Sequence, residues 1–177
     1  MPSIRTYPLP VDSLLGRYRR DDGAYTDCYA TEVAFPVSHA QYVNAFYTTF
    51  VFKIERFILT WTVNKPSTDL QAKQLSDGTR DTFAAWTVEA RTENQLLMCD
   101  FVSRTRSWLM VLPLESGGTR LYFGSAIVPM VDPRTGKSTL GLVFRALLGF
   151  HKIYSVVLLY AAKRRLEALY PKEMTSI

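Results

Sequence analysis

The sequence predicts an α+β domain in which an antiparallel sheet of about five or more strands curves around a long C-terminal helix. Three observations carry that prediction. Five segments between residues 25 and 128 are rich in β-branched and aromatic residues, and the last four follow one another across short polar links. Two Ser/Thr-x-x-Gln signatures, Ser38 with Gln41 and Thr68 with Gln71, mark helix starts between the first strand and the others. The tail carries an apolar run over 153–162, broken only by Ser155 and apolar on nearly every side, too apolar for a surface helix.

Residues 1–24 read as an extended lead-in, because Pro2, Pro8 and Pro10 block a helix and 17–23 is a polar, turn-rich stretch. The first strand covers 25–35, with Tyr29, Thr31, Val33 and Phe35 on one parity, and Pro36 closes it. A helix then begins at His39, capped by Ser38, with Val37 and Tyr42 as a hydrophobic staple and Val43, Phe46, Tyr47 and Phe50 as its apolar stripe. A second stripe, Ile54, Phe57, Ile58 and Trp61, lies beyond the β-branched pair Thr48-Thr49, so two short helices are expected. The second capping box starts a helix over 69–76 that stops at Asp77-Gly78.

The four later strands are 83–91, 95–102, 106–114 and 119–128, with Thr92-Glu93-Asn94 and Ser116-Gly117-Gly118 as hairpin turns. The link Ser103-Arg104-Thr105 lacks Gly and Pro. A tight turn there sets Asp100 against Arg106 and Met98 against Trp108; without one, the two segments form a single bent strand. Residues 141–169 make the last helix, with Ser138 or Thr139 as cap and Lys163, Arg164 and Arg165 near its C-terminal end, where cations are favoured. Its apolar run should be buried over much of its circumference, Leu158 included.

The 177 residues suit one domain, 25–169, followed by a short tail, 170–177. Apolar residues at 47% and charged residues at 21% exclude a disordered chain. The net charge of +5 is not gathered into a nucleic-acid footprint, since Arg17, Arg19 and Arg20 run straight into Asp21 and Asp22. A membrane span over 140–162 would bury Arg145, His151 and Lys152 at about 2–3 kcal/mol each or more, so no transmembrane segment is expected. The N-terminus has no signal-peptide core, and Cys28 and Cys99 make no disulfide framework; a cytoplasmic protein is the simplest expectation. Neither cysteine forms a metal-ligand spacing with His39 or His151, and no metal or cofactor is expected.

The segment 131–138 ends in Gly-Lys-Ser but has Val131 where a phosphate loop needs Gly, and reads as a polar turn running into a helix cap. Ser125 lacks the flanking glycines of a nucleophile elbow, and no Ser–His–acid grouping can be drawn from the sequence. His39, in a first helical turn, reads as solvated.

Strand, paired short helices, a run of antiparallel strands and a long last helix, in that order, resemble the START-like helix-grip architecture of the birch-pollen-allergen and polyketide-cyclase superfamily. The segments Tyr25-Thr26-Asp27-Cys28, Ala45-Phe46-Tyr47-Thr48-Thr49, Arg104-Thr105-Arg106-Ser107-Trp108 and Leu121-Tyr122-Phe123-Gly124-Ser125 are also similar to a bacterial family of unknown function, which supplies no activity. The helix-grip resemblance implies an apolar cavity between the sheet and the last helix. Aromatic candidates to line it are Tyr29, Trp86, Trp108, Tyr122 and Tyr154, whose polar tips need partners when buried. Polar candidates are Asp100, an acid among apolar neighbours, Arg106, its expected partner, and His151, which shares a helical face with Tyr154 and Leu158. The expected function is binding of a small apolar or amphipathic molecule. The alternatives are an enzyme in the same cavity (a cyclase, isomerase or hydrolase-like catalyst) or a cavity-free interaction domain. A homodimer is compatible with this reading.

Overall fold

The computed structural model describes residues 4–19, 24–54, 67–131, 138–139 and 142–174. Its elements are β1 (Arg5–Thr6), a 3-10 helix (Leu14–Arg19), β2 (Tyr25–Val33), α1 (His39–Tyr47), α2 (Asp69–Ser76), β3 (Thr82–Phe83), β4 (Trp86–Arg91), β5 (Gln95–Asp100), β6 (Thr105–Pro113), β7 (Thr119–Ile127), β8 (Met130–Val131), β9 (Ser138–Thr139) and α3 (Leu142–Met174). Seven strands form one antiparallel sheet in the order β1-β2-β7-β6-β5-β4-β3. The chain is therefore α+β, an open antiparallel sheet with a long C-terminal helix, and this arrangement fits a helix-grip fold.

Local chemistry sets the element boundaries. Ser38 and Gln41 cap α1 reciprocally, and Thr68 and Gln71 do the same for α2. Thr48 ends α1 by donating its hydroxyl to the Asn44 carbonyl, and the Thr49 hydroxyl accepts from Phe52 N–H to start the helical backbone of 50–54. The break between the two stripes is thus made by two threonine side chains. It rotates Phe50 off the α1 stripe and leaves it exposed. Phe57, Ile58 and Trp61 lie outside the described residues, as does the polar turn at 132–137. Ser138 and Thr139 pair with Met130 and Val131 as a strand, so neither caps α3, which begins at Leu142.

The link after β5 is a hairpin turn. Ser103 takes a left-handed conformation (φ 58°), its N–H bonds the Asp100 carbonyl, and Asp100 Oδ1 accepts from Arg104 N–H at 2.7 Å. The register sets Cys99 opposite Arg106 and Leu97 opposite Trp108. This corrects the expected pairs of Asp100 with Arg106 and Met98 with Trp108 by one residue, and a one-residue slip exchanges the two faces of a strand.

The sheet is covered on both sides. On the helix side, Tyr29, Phe123, Leu109 and Leu96 pack under α1 and α3, and Phe46, Tyr47, Phe52 and Phe83 meet ring to ring, Phe46 lying 5.0 Å from Phe123. Leu158, Leu159 and Ala162 bring α3 down onto this core. The buried Lys163 bonds the Glu32 carbonyl of β2 at 3.1 Å and pairs with Glu167. The outer stripe of α3, Ile153, Val157 and Tyr160, is exposed, so the helix lies on the sheet rather than being enclosed by it.

The opposite face carries a second core of Trp108, Tyr122, Met110, Leu97 and Cys28, closed by Leu15 and Tyr18 of the 3-10 helix. Gly124 allows this packing: a Cβ there would stand 2.8 Å from Leu15, 2.9 Å from the Asp27 carbonyl and 3.0 Å from the Trp108 ring. Gln95 ties the N-terminal segment down. Its Oε1 accepts from Trp108 Nε1 at 2.9 Å and from Leu14 N–H at 2.8 Å, while its Nε2 donates to the Asp12 carbonyl at 3.2 Å.

His39 is a correction. It is buried rather than solvated, standing four residues before Val43 on the same helical face. Burial, with Arg91 nearby, pulls its pKa down to about 4.

Candidate functional site

Strand pairing sets Asp27 of β2 directly opposite Ser125 of β7. Both share the parity of Tyr29 and Phe123, so both face the helix layer, where most neighbouring side chains are apolar. The Asp27 side chain is 6% exposed. Its Oδ1 accepts from Ser125 Oγ at 2.6 Å and from Ser125 N–H at 3.1 Å. From α3, His151 Nε2 lies 2.7 Å from Ser125 Oγ and 3.4 Å from Asp27 Oδ2. Tyr25, two residues along β2, sets its ring edge-on to His151 at 6.3 Å.

Ser125 has one hydroxyl hydrogen, and Asp27 takes it. In the tautomer that carries hydrogen on Nε2, His151 donates to Ser125 Oγ. A serine nucleophile needs the reverse, a histidine nitrogen accepting the hydroxyl proton. The structure thus brings together a Ser–His–acid grouping that the sequence did not reveal, with the Ser125 hydroxyl proton directed to Asp27 rather than to the histidine.

Asp27 also lines a cleft of about 310 Å³ along the outer edge of β2. The strand β1 reaches only Tyr29 and Ala30, and Tyr7 N–H adds one bond to the Cys28 carbonyl at 2.9 Å. The N-terminal segment lines the cleft through Thr6, Tyr7, Pro8 and Leu9, β2 lines it through Tyr25 to Tyr29, and Arg19 and Lys152 complete the lining. Along a strand, backbone groups two residues apart point the same way. The N–H and C=O of Thr26 therefore point outward like those of Cys28, with no strand beside them among the described residues. Burial, then the Asp27 charge, pushes the Cys28 thiol up to about 12 and raises the Tyr25 phenol. The thiol and phenol are neutral near pH 7.

The eight candidates divide between the two faces. Tyr29 and Tyr154 pack with the helix-side core, and Tyr29 also lines the cleft. Trp86 stands opposite Asp100, and its buried Nε1 finds no acceptor among the described residues. Asp100 caps the hairpin turn. Arg106, Trp108 and Tyr122 lie on the face away from α3 and cannot line a cavity beneath it. Arg106 pairs with Glu89 at 2.8 Å, not with Asp100, and bonds the Tyr18 hydroxyl at 2.8 Å. Trp108 bonds Gln95, and Tyr122 meets Tyr7 edge-on at 5.6 Å. Only His151 joins the polar grouping. Asp27 was the missed signal, a lone acid on the same parity as Tyr25, Tyr29 and Val33.

Among the described residues no group of three or more His, Cys, Asp or Glu side chains is placed to hold a metal ion, and no helix is long and apolar enough to cross a membrane. No protein-family model and no curated protein matches the chain. Among solved structures it is similar to a Rhodobacter sphaeroides protein determined by the Northeast Structural Genomics Consortium, with 12% identity over 96% of this chain and 99% of that one and a TM-score of 0.45. It is also similar to CalU16 from Micromonospora echinospora, with 13% identity over 95% and 94% of the two chains and a TM-score of 0.31.

Proposed function

We propose that this chain is a START-like small-molecule-binding domain that takes an amphipathic ligand in the cleft at the β2 edge. The observation that supports this reading is the double role of Asp27. It lines a cleft of about 310 Å³, within the size range of ligand sites, and is held by Ser125 beside His151. Tyr7, Leu9 and Tyr25 offer surface to the apolar body of a ligand, and the charged Arg19, Lys152 and Asp27 of the lining set its orientation.

Native mass spectrometry of the chain purified from its own host tests this. A non-covalent small-molecule adduct is expected. Thr26→Trp, which fills the cleft from the strand edge without replacing a core residue, should remove the adduct while leaving the melting temperature within a few degrees. An adduct that persists undiminished in Thr26→Trp would place the ligand elsewhere.

A further inference from the structure

We infer that the β2-edge cleft selects a flat aromatic carboxylate, its charged head lying between Arg19 and Lys152 with the Thr26 backbone N–H as a third donor; this rests on the reading of the cleft as a ligand site. Three charged side chains line the cleft, Arg19, Lys152 and Asp27. Asp27 is already committed, its Oδ1 to Ser125 at 2.6 Å and its Oδ2 beside His151. The two cations are exposed and have no ion pair among the described residues. With the neutral Tyr25, Tyr29 and Cys28, the charged side chains lining the cleft sum to one net positive charge.

The strand edge adds a directional element. An outward backbone N–H on an unpaired edge is a fixed donor that loses no side-chain freedom when it binds. A carboxylate has two oxygens, enough for one to meet Thr26 N–H while the other faces a cation. A planar ring behind that head would rest against Tyr7 and Tyr25, the less buried aromatic residues of the lining. An amine would face the two cations directly, and a neutral amide would accept a hydrogen bond from them without the charge pairing a carboxylate gains.

The test is an amide-resolved NMR titration of the whole chain with three probes of one shape: phenylacetate, phenylacetamide and phenethylamine. Phenylacetate should bind saturably, moving the Thr26 and Lys152 amide signals, and at least tenfold more tightly than either other probe. Arg19→Gln with Lys152→Gln should abolish that preference, and both positions are exposed, so the fold should be untouched. Equal binding of the amide, or preference for the amine, would overturn the carboxylate assignment while leaving the cleft as a ligand site. Signals that move only away from β2 would overturn it too. Failure of all three probes, with no adduct in native mass spectrometry, would remove both readings.

Discussion

Replacing Gln95 by leucine should lower the unfolding free energy by about 3 kcal/mol or more, the largest loss expected from one change of near-equal volume. One buried amide serves three groups: Trp108 Nε1, Leu14 N–H and the Asp12 carbonyl. Leucine can serve none of them, and each buried group left without a partner costs about 1–3 kcal/mol. Two of the three belong to the N-terminal segment, so the loss should loosen the cover that Leu15 and Tyr18 place over Trp108 and Tyr122. Urea unfolding should show a lower midpoint, and Trp108 fluorescence should report a wetter indole before the main transition. A loss below 1 kcal/mol would mean that the segment is held by Leu15 and Tyr18 alone.

The second large effect is acid destabilisation through His39. Its folded pKa is about 4 against an ordinary 6.5, because burial and Arg91 disfavour the imidazolium. Between those values the unfolded chain binds a proton that the folded chain refuses, so stability falls as pH falls. The stabilisation is complete above pH 6.5 and is lost progressively down to pH 4, about 3 kcal/mol over the window. Glutamine in place of His39 keeps a donor but does not titrate, and should flatten this part of the stability profile measured from pH 7 to 4. An unchanged slope would assign the acid sensitivity to another group.

The parts of the fold that local chemistry dictates were legible in the sequence. Both capping boxes, the threonine break after α1 and the glycine turn before β7 each follow from a few neighbouring residues. Which face each strand turns to the helix was not legible, because the sheet is buried on both sides. Residues 107–111 and 121–127 lack the polar alternation that marks a half-exposed strand. Trp108 and Tyr122 could therefore not be assigned to either core from periodicity. The second core depends on a proline-rich segment that folds over the sheet through Leu15, Tyr18 and the Gln95 contacts, all more than 70 residues apart in sequence from their Gln95 and Glu89 partners where they bond. The β5–β6 register turned on one left-handed serine. The polar grouping was hidden for a related reason: Asp27 and Ser125 are 98 residues apart and meet only once β2 and β7 are paired.

The most direct measurement is a set of crystal structures with an aromatic fragment panel soaked in. Fragments are expected in the cleft beside Tyr7 and the outer edge of β2, with polar groups turned toward Thr26, Arg19 or Lys152. Fragments that leave this cleft empty and gather instead between the sheet and α3, against Trp86, would contradict that expectation.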